Sequence, residues 1–406
     1  AFLANKPFCL GPGMGINSFF AVVVANLITM AGMDYVTSFQ TVMCIVFIEG
    51  VLFIVLSLFN IREKIVEAIP LGVRLGIAPA IGMMLMNIGF GSNIYIADEN
   101  YNQFYVMRDF FGALTAGRAK ELMGSAYPVM ILSVITLFVG FFTIVILAHK
   151  GVKAAVIIGM FVASIVYWIG QYFALGTNPF AALESATFVP AFSDMAATTL
   201  FKLNFAGLAN LGVFTVITLV ITFCLIDMFD TIGTLVGTAS RAGMLDKDGN
   251  MPNMKEALLS DAIGTVTGSL TGTSTITTFI ESASGVEAGG RTGLTALTTG
   301  VLFVACIFLA PVAAIIPAAA TSSALVYVGV LMVKALKSIN FDDISVAVPV
   351  ILMLLAMPVS SSIGHAIGLG MISYTIIKLL LGKGKEVSVL TYVISVLFLI
   401  KFFLVV

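Results

Sequence analysis

Apolar runs of about twenty residues, separated by short polar or Gly/Pro-bearing stretches, recur along the whole chain. The clearest are Val36 to Phe59, Pro128 to Ala148 and Val152 to Ala174. An α-helix needs roughly 20 mainly apolar residues to cross the hydrocarbon of a bilayer. The pattern therefore predicts an all-α polytopic membrane protein. After an irregular opening at Pro7 to Gly15, the predicted spans are Ile16 to Ala31 and residues 36–59, 71–90, 128–148, 152–174 and 210–238. A second group follows at 257–270, 271–288, 292–315, 317–337, 343–358 and 361–381. A last apolar run, Val387 to Val406, carries only Lys401 and either spans or lies at the interface.

Short cytoplasmic loops collect Lys and Arg. With the loop at 60–70 inside, the alternation of spans puts most basic residues inside, Arg62 and Arg74 among them. Arg108, Arg118, Lys120 and Lys202 fall outside, in the two longest loops, 91–127 and 175–209. The predicted spans and the charge bias thus agree.

Two pairs of stretches look like copies. Glu67-Ala68-Ile69-Pro70 and Ala314-Ile315-Ile316-Pro317 each lead into a Gly-rich span. The broken segment PFCLGPGMGIN, Pro7 to Asn17, has a counterpart in GTSTITTFIES, Gly272 to Ser282. Interrupted apolar segments at corresponding positions of two halves point to the binding site of a secondary transporter. An odd number of spans per half makes such a repeat inverted. The second half offers seven spans and the first five, so two further spans are expected N-terminal to Ala1, where the sequence begins without Met.

Composition strengthens the membrane reading: 59% of residues are apolar and 10% charged, against roughly 25% charged in soluble domains, and mean hydropathy is +1.09. A net charge of −1 gives no reason to expect nucleic acid as a partner. Cys9, Cys44, Cys224 and Cys306 are far apart in apolar sequence, which suits neither a disulfide framework nor a metal cluster. No cofactor or metal is expected.

Acidic residues inside spans cost about 2.5–3.5 kcal/mol even on lenient scales, so each one present needs a reason. CLIDMFDTIGT puts Asp227 and Asp230 three residues apart on one helical face. TSTITTFIES puts Glu281 where a strand-like Thr/Ser run gives way to a helix, whose amide end favours an anion. A carboxylate accepts two parallel hydrogen bonds, which suits a planar heterocycle with adjacent ring N–H and amino donors, such as guanine. A desolvated intramembrane carboxylate can also take up and release a proton, and Asp227 is the candidate, with Asp230 beside it. Asn17 offers a donor and an acceptor to a base edge or caps a helix, and Phe279 stacks on a base or on lipid and core. Glu49, in FIEGVLF, reads as a structural tie to another helix. His365 reads as packed, and DKDGN at Asp246 to Asn250 as a polar turn, since its Gly is misplaced for a calcium loop. No HExxH or GxSxG motif appears, and Asp227 and Asp230 share one helix, unlike an aspartyl dyad; an enzyme is not expected.

The strings PFCLGPGMGINSFFA, IREKIVEAIP, DMFDTIGTLVG, GTSTITTFIESASGVEAGGRTGLTA and APVAAIIPAAATSSALVYVG resemble the guanine, hypoxanthine and adenine permeases, the AzgA-like branch of the nucleobase-ascorbate transporters. The resemblance covers essentially the whole chain. It implies a uracil-permease-like fold of fourteen spans in a seven-plus-seven inverted repeat, with a short strand in each of the broken spans 3 and 10. Spans 1 and most of 2 would precede this sequence. The core domain then takes residues 1–59 and 210–315, the gate domain 60–209 and 316–385, and residues 386–406 form a C-terminal apolar segment. The resemblance further implies that Asn17, Asp227 and Glu281 contact a purine base, with Asp230 close by, and that transport is proton symport across a cell membrane, the bacterial inner membrane being expected. The lipid bilayer, the base and the proton are the expected partners. A homodimer is allowed but not fixed by the sequence. Rival cargoes are uracil, xanthine or ascorbate, and the rival carrier is a sulfate-type anion transporter, against which the acidic site argues.

Overall fold

The structure is a computed structural model describing residues 1–404 apart from 93, 98–102, 108–115, 185, 248–249, 280 and 361. In chain order the elements are β1 (Leu10–Pro12), α1 (Met14–Ala31), α2 (Tyr35–Leu58), α3 (Ile61–Ala68), α4 (Leu71–Asn87), β2 (Tyr95–Ala97), β3 (Gln103–Tyr105), α5 (Ala116–Met123), α6 (Tyr127–His149) and α7 (Ala155–Ala174). Three short helices follow, α8 (Ala181–Glu184), α9 (Phe192–Thr198) and α10 (Phe205–Asn210). Next come α11 (Val213–Arg241), α12 (Met254–Thr271), β4 (Ile276–Thr278), α13 (Ser282–Glu287) and α14 (Gly293–Ile307). The chain closes with α15 (Ala310–Ala314), α16 (Ala318–Val333), α17 (Ile344–Ser360), α18 (Ile363–Leu380) and α19 (Val389–Leu404). Among the described residues, seven helices are long and apolar enough to cross a membrane, and α14, α17 and α19 are shorter apolar helices.

Helix starts follow from local chemistry. Asp34 caps α2 by accepting from the Thr37 N–H at 3.1 Å, satisfying one of the orphan donors of the first turn. These bonds hold the Asp34 carboxyl below its ordinary range. Ser362 caps α18 in the same way through the His365 N–H, at 3.2 Å. Pro70 and Pro317, from the two similar stretches, stand directly before α4 and α16, where a missing N–H costs no helix bond.

The chain forms two compact units, Ala1–Ile81 with Ala191–Val301 and Ala335–Val406, and Gly82–Pro190 with Leu302–Lys334. In the second, α6 packs on α7 and both on α16. A Cβ on Gly82 would meet the Gly329 carbonyl oxygen at 2.7 Å, and one on Gly329 would meet the Gly82 oxygen at 2.6 Å. Two backbones this close leave room for glycine only, as in membrane helix packing generally. In the first unit, α2 packs along α12 and against α11. Its apolar cluster joins Ile16 and Phe20 of α1 to Val42 through Val46 of α2 and Phe223 of α11. A Cβ on Gly50 would lie 2.9 Å from the Val266 nitrogen, so α2 and α12 come closest beside Glu49.

Two stretches differ from their sequence reading. Residues 60–70 are not a loop, because Ile61–Ala68 is helical. Arg62 there is fully buried, so it is an interior charge and not part of the cytoplasmic loop count. Its burial is explained by its partners, described below. Residues 91–127, read as loop, contain α5 and an antiparallel pair of β2 with β3, Tyr95 facing Tyr105; strands this short leave no periodic signature. Arg108 lies outside the described residues, as do positions 248 and 249 of DKDGN, whose flanks do form a turn in which the Asn250 N–H reaches Asp246 Oδ1 at 2.8 Å. The C-terminal run is helix α19, with Ile394 and Phe398 buried, the Thr391 hydroxyl donating to the Ala68 carbonyl at 2.7 Å and Ser395 meeting Thr375 at 2.8 Å.

Candidate functional site

The two broken segments meet. β1 and β4 pair antiparallel, with Leu10 opposite Thr278, Gly11 opposite Thr277 and Pro12 opposite Ile276. Main-chain bonds extend the pairing: Gly13 N–H to the Thr275 carbonyl at 3.3 Å and Phe279 N–H to the Cys9 carbonyl at 2.8 Å. The Cys9 N–H is taken by Ser282 Oγ at 2.9 Å. A strand inside a span has backbone groups that no helix satisfies, and in hydrocarbon each orphan costs several kcal/mol; each segment is the other's solution. The strand readings for both broken spans are thus realised. α1 leaves one strand and α13 follows the other.

The predicted residues are placed as follows. Asn17 is exposed on the first turn of α1, and the Ser274 hydroxyl donates to its Oδ1. Phe279 is half-buried, its ring lying against Gly11, where any side chain would collide with it. Glu281 is exposed at the start of α13, a helix of only six residues. Asp227 and Asp230 are buried on α11, which packs against both β4 and α13.

Asp227 belongs to a buried network that sequence reasoning resolved only in part. The Thr231 hydroxyl lies 3.1 Å from Asp227 Oδ1, 3.1 Å from Asp261 Oδ2 and 2.9 Å from Thr277 Oγ1 of β4. Arg62 Nη2 reaches Asp261 Oδ2 at 3.2 Å, its Nη1 donates to the Leu258 carbonyl at 3.0 Å, and its guanidinium sits 4.1 Å from the centre of the Phe53 ring. Such cation–π contact suits a weakly hydrated guanidinium out of water. From α2, Glu49 Oε2 accepts from the Thr275 hydroxyl at 2.9 Å. Glu49, Asp227, Asp261 and Arg62 are all 0% exposed, and Arg62 acts electrostatically on all three carboxylates. One oxygen of each acid, Glu49 Oε1, Asp227 Oδ2 and Asp261 Oδ1, is buried without a hydrogen-bond partner among the described residues.

Asp261 and Arg62 were not singled out from sequence. Asp261 carried a usable signal, an acid within the predicted span 257–270. Arg62 carried none, since it stands in the polar stretch IREKIVEA, where a basic residue reads as a loop charge. Glu49 does tie α2 to another segment, as read, but its partner is the broken segment ahead of β4. His365, read as packed, is exposed on the first turn of α18, its ring centre 5.7 Å from that of Phe402, and the four cysteines are free thiols.

Long apolar helices, interrupted by two paired half-segments beside a buried cluster of carboxylates, define a multi-pass membrane transporter. Residues 2–369 match the Permease family, and the chain belongs to it. It is 39% identical to a putative permease of Methanocaldococcus jannaschii over 98% of this chain and 82% of that one. The adenine permease AdeP of Escherichia coli is 34% identical over 98% of this chain and 80% of its own length. The guanine/hypoxanthine permease PbuO of Bacillus subtilis is 36% identical over 100% and 86%. Among solved structures, the transmembrane domain of the cyanobacterial bicarbonate transporter BicA matches with a TM-score of 0.54 at 18% identity, over 89% of this chain and 84% of that one, a likeness of fold.

Proposed function

We propose that this permease carries purine nucleobases, guanine, hypoxanthine or adenine, by proton symport with alternating access. The observation that supports the reading is the β1–β4 pairing, which joins the two broken segments that carry Asn17, Phe279 and Glu281, with Asp227 on the helix packed against β4 and α13, in a chain about as similar to an adenine permease as to a guanine/hypoxanthine one. Glu281, exposed and at the strand's exit, is the acceptor for paired N–H donors of the base. Asn17 supplies donor and acceptor to another edge, and Phe279 stacks on the ring. In this reading residues 1–59 and 210–315 carry the base and residues 60–209 and 316–385 form the gate.

Charge counting supports the proton. Three fully buried carboxylates face one guanidinium. An isolated buried carboxylate is costly enough that it neutralises instead of staying ionised, so at least one of the three holds a proton. Asp227, with Asp230 one turn on, is its carrier. The test is uptake of labelled guanine by the full-length protein in proteoliposomes with an imposed pH gradient. Uptake should rise as the outside is acidified, collapse with a protonophore and be lost in Asp227→Asn. Adenine and hypoxanthine should compete, and uracil should not. Uptake indifferent to the gradient would remove symport, and competition by uracil alone would remove the purine assignment.

A further inference from the structure

The Thr231 hydroxyl has more acceptors around it than it has protons. Its three oxygen neighbours are Asp227 Oδ1, Asp261 Oδ2 and Thr277 Oγ1, all buried. A hydroxyl donates one hydrogen bond and accepts two, and an ionised carboxylate only accepts. With both aspartates ionised, one of the two carboxylate contacts would have no proton in it. One aspartate therefore supplies its own. Asp261 is marked as the ionised member, because the oxygen that faces Thr231 also accepts from Arg62. Among the described residues, Asp227 has no cation in hydrogen-bonding contact, and its second oxygen is buried without a partner. The arrangement closes in one way: Asp227 Oδ1–H donates to Thr231, Thr277 donates to the second lone pair of Thr231, and Thr231 donates to Asp261. Every valence of the threonine oxygen is then used.

We infer that Thr231 is a positioning residue for proton coupling, passing the transported proton between Asp227 and Asp261; this rests on the symport reading above. In the transfer, the Asp227 O–H bond breaks as its proton bonds to Thr231 Oγ1, while the Thr231 O–H proton passes to Asp261 Oδ2. The hydroxyl ends neutral, Asp227 becomes an anion able to accept from an N–H donor of the base, and Asp261 becomes a neutral acid whose hold on Arg62 is weakened. The charges acting on Asp227 are Asp261 of α12, Glu49 of α2 and Arg62 of α3. Its own helix adds Cys224 and Asp230. Of the other elements packed on α11, α1 and β4 carry no ionisable side chain, α13 carries Glu287 with Glu281 at its cap, and α18 carries His365, Tyr374 and Lys378.

The test compares Thr231→Val, which keeps the shape and loses the hydroxyl, with Thr231→Ser, which keeps the hydroxyl, in full-length protein. Gradient-driven guanine accumulation should fall at least about tenfold in the valine variant and stay within about twofold in the serine variant, in keeping with the worth of a positioned proton-transfer group. By infrared difference spectroscopy at neutral pH, the native protein should show a carboxylic-acid carbonyl component that disappears in Asp227→Asn. The band should shift in Thr231→Val, where the acid loses its acceptor, and hold its place in Thr231→Ser. A valine variant that accumulates guanine like the native protein with an unmoved band would overturn the relay. So would a spectrum in which Asp227→Asn removes no part of the acid band, a result that stands even if the valine variant fails to fold. Accumulation by the native protein that ignores the gradient would instead fail the symport reading itself, and the relay with it.

Discussion

The helices of the second unit and the surroundings of β4 in the first use hydroxyl side chains to opposite ends. In the second unit, Thr143 and Ser164 donate to carbonyls four residues back in their own helices, and Ser323 donates to Ala320 three back. They are satisfied locally, and the helices approach through small residues, as where Gly82 meets Gly329. In the first unit, Thr275 and Thr277 lie at β4, where no preceding helical carbonyl is within reach, so they bond to Glu49 and Thr231. Thr231 is helical, but the group four residues back that it meets is the Asp227 side chain. A hydroxyl in a span is therefore no signal by itself; it becomes one where the backbone cannot absorb it.

The contrast is broken most severely at Arg62. Arg62→Met leaves the buried acids without their cation and should destabilise by about 3–5 kcal/mol, read as a lowered Tm in detergent, with partial recovery when Asp261→Asn is added. In the second unit the equivalent insult is steric: Gly329→Val should cost about 1–3 kcal/mol, whereas Gly300→Ala on α14, where a Cβ meets nothing within 4 Å, should leave Tm unchanged or slightly raised. Thr275→Val removes the hydrogen bond given to Glu49 and should cost about 1–3 kcal/mol, with Thr275→Ser restoring most of it in the same melting assay. Smallest of all, Ser323→Ala deletes a back-bonded buried hydroxyl and should cost about 0.5–1.5 kcal/mol, read in the same melting assay.

Much of this was readable in the sequence, for reasons that also explain what was not. The spans stand out because hydrocarbon admits only long apolar helices, and the broken segments because Gly, Pro and Thr runs interrupt them. Asp227 was visible as an acid where acids are rare. Arg62 was not, since a basic residue in the polar stretch IREKIVEA looks like any loop charge until α3 is seen against α12. The Thr231 contacts depend on β4 lying across α11, a tertiary fact with no local signature. Residues 91–127 hid their strand pair because three-residue strands carry no period to detect.

The paired strands also set a timetable. Cys9 and Ser282, joined across them, are 273 positions apart, and ribosomes add roughly 5–20 residues per second. For on the order of tens of seconds after β1 emerges, its partner has not been made. During that interval the first broken segment has unsatisfied backbone groups at membrane depth or waits outside it. The pairing that completes both broken segments is consequently a late event of synthesis, possible only once β4 has followed β1 into the membrane.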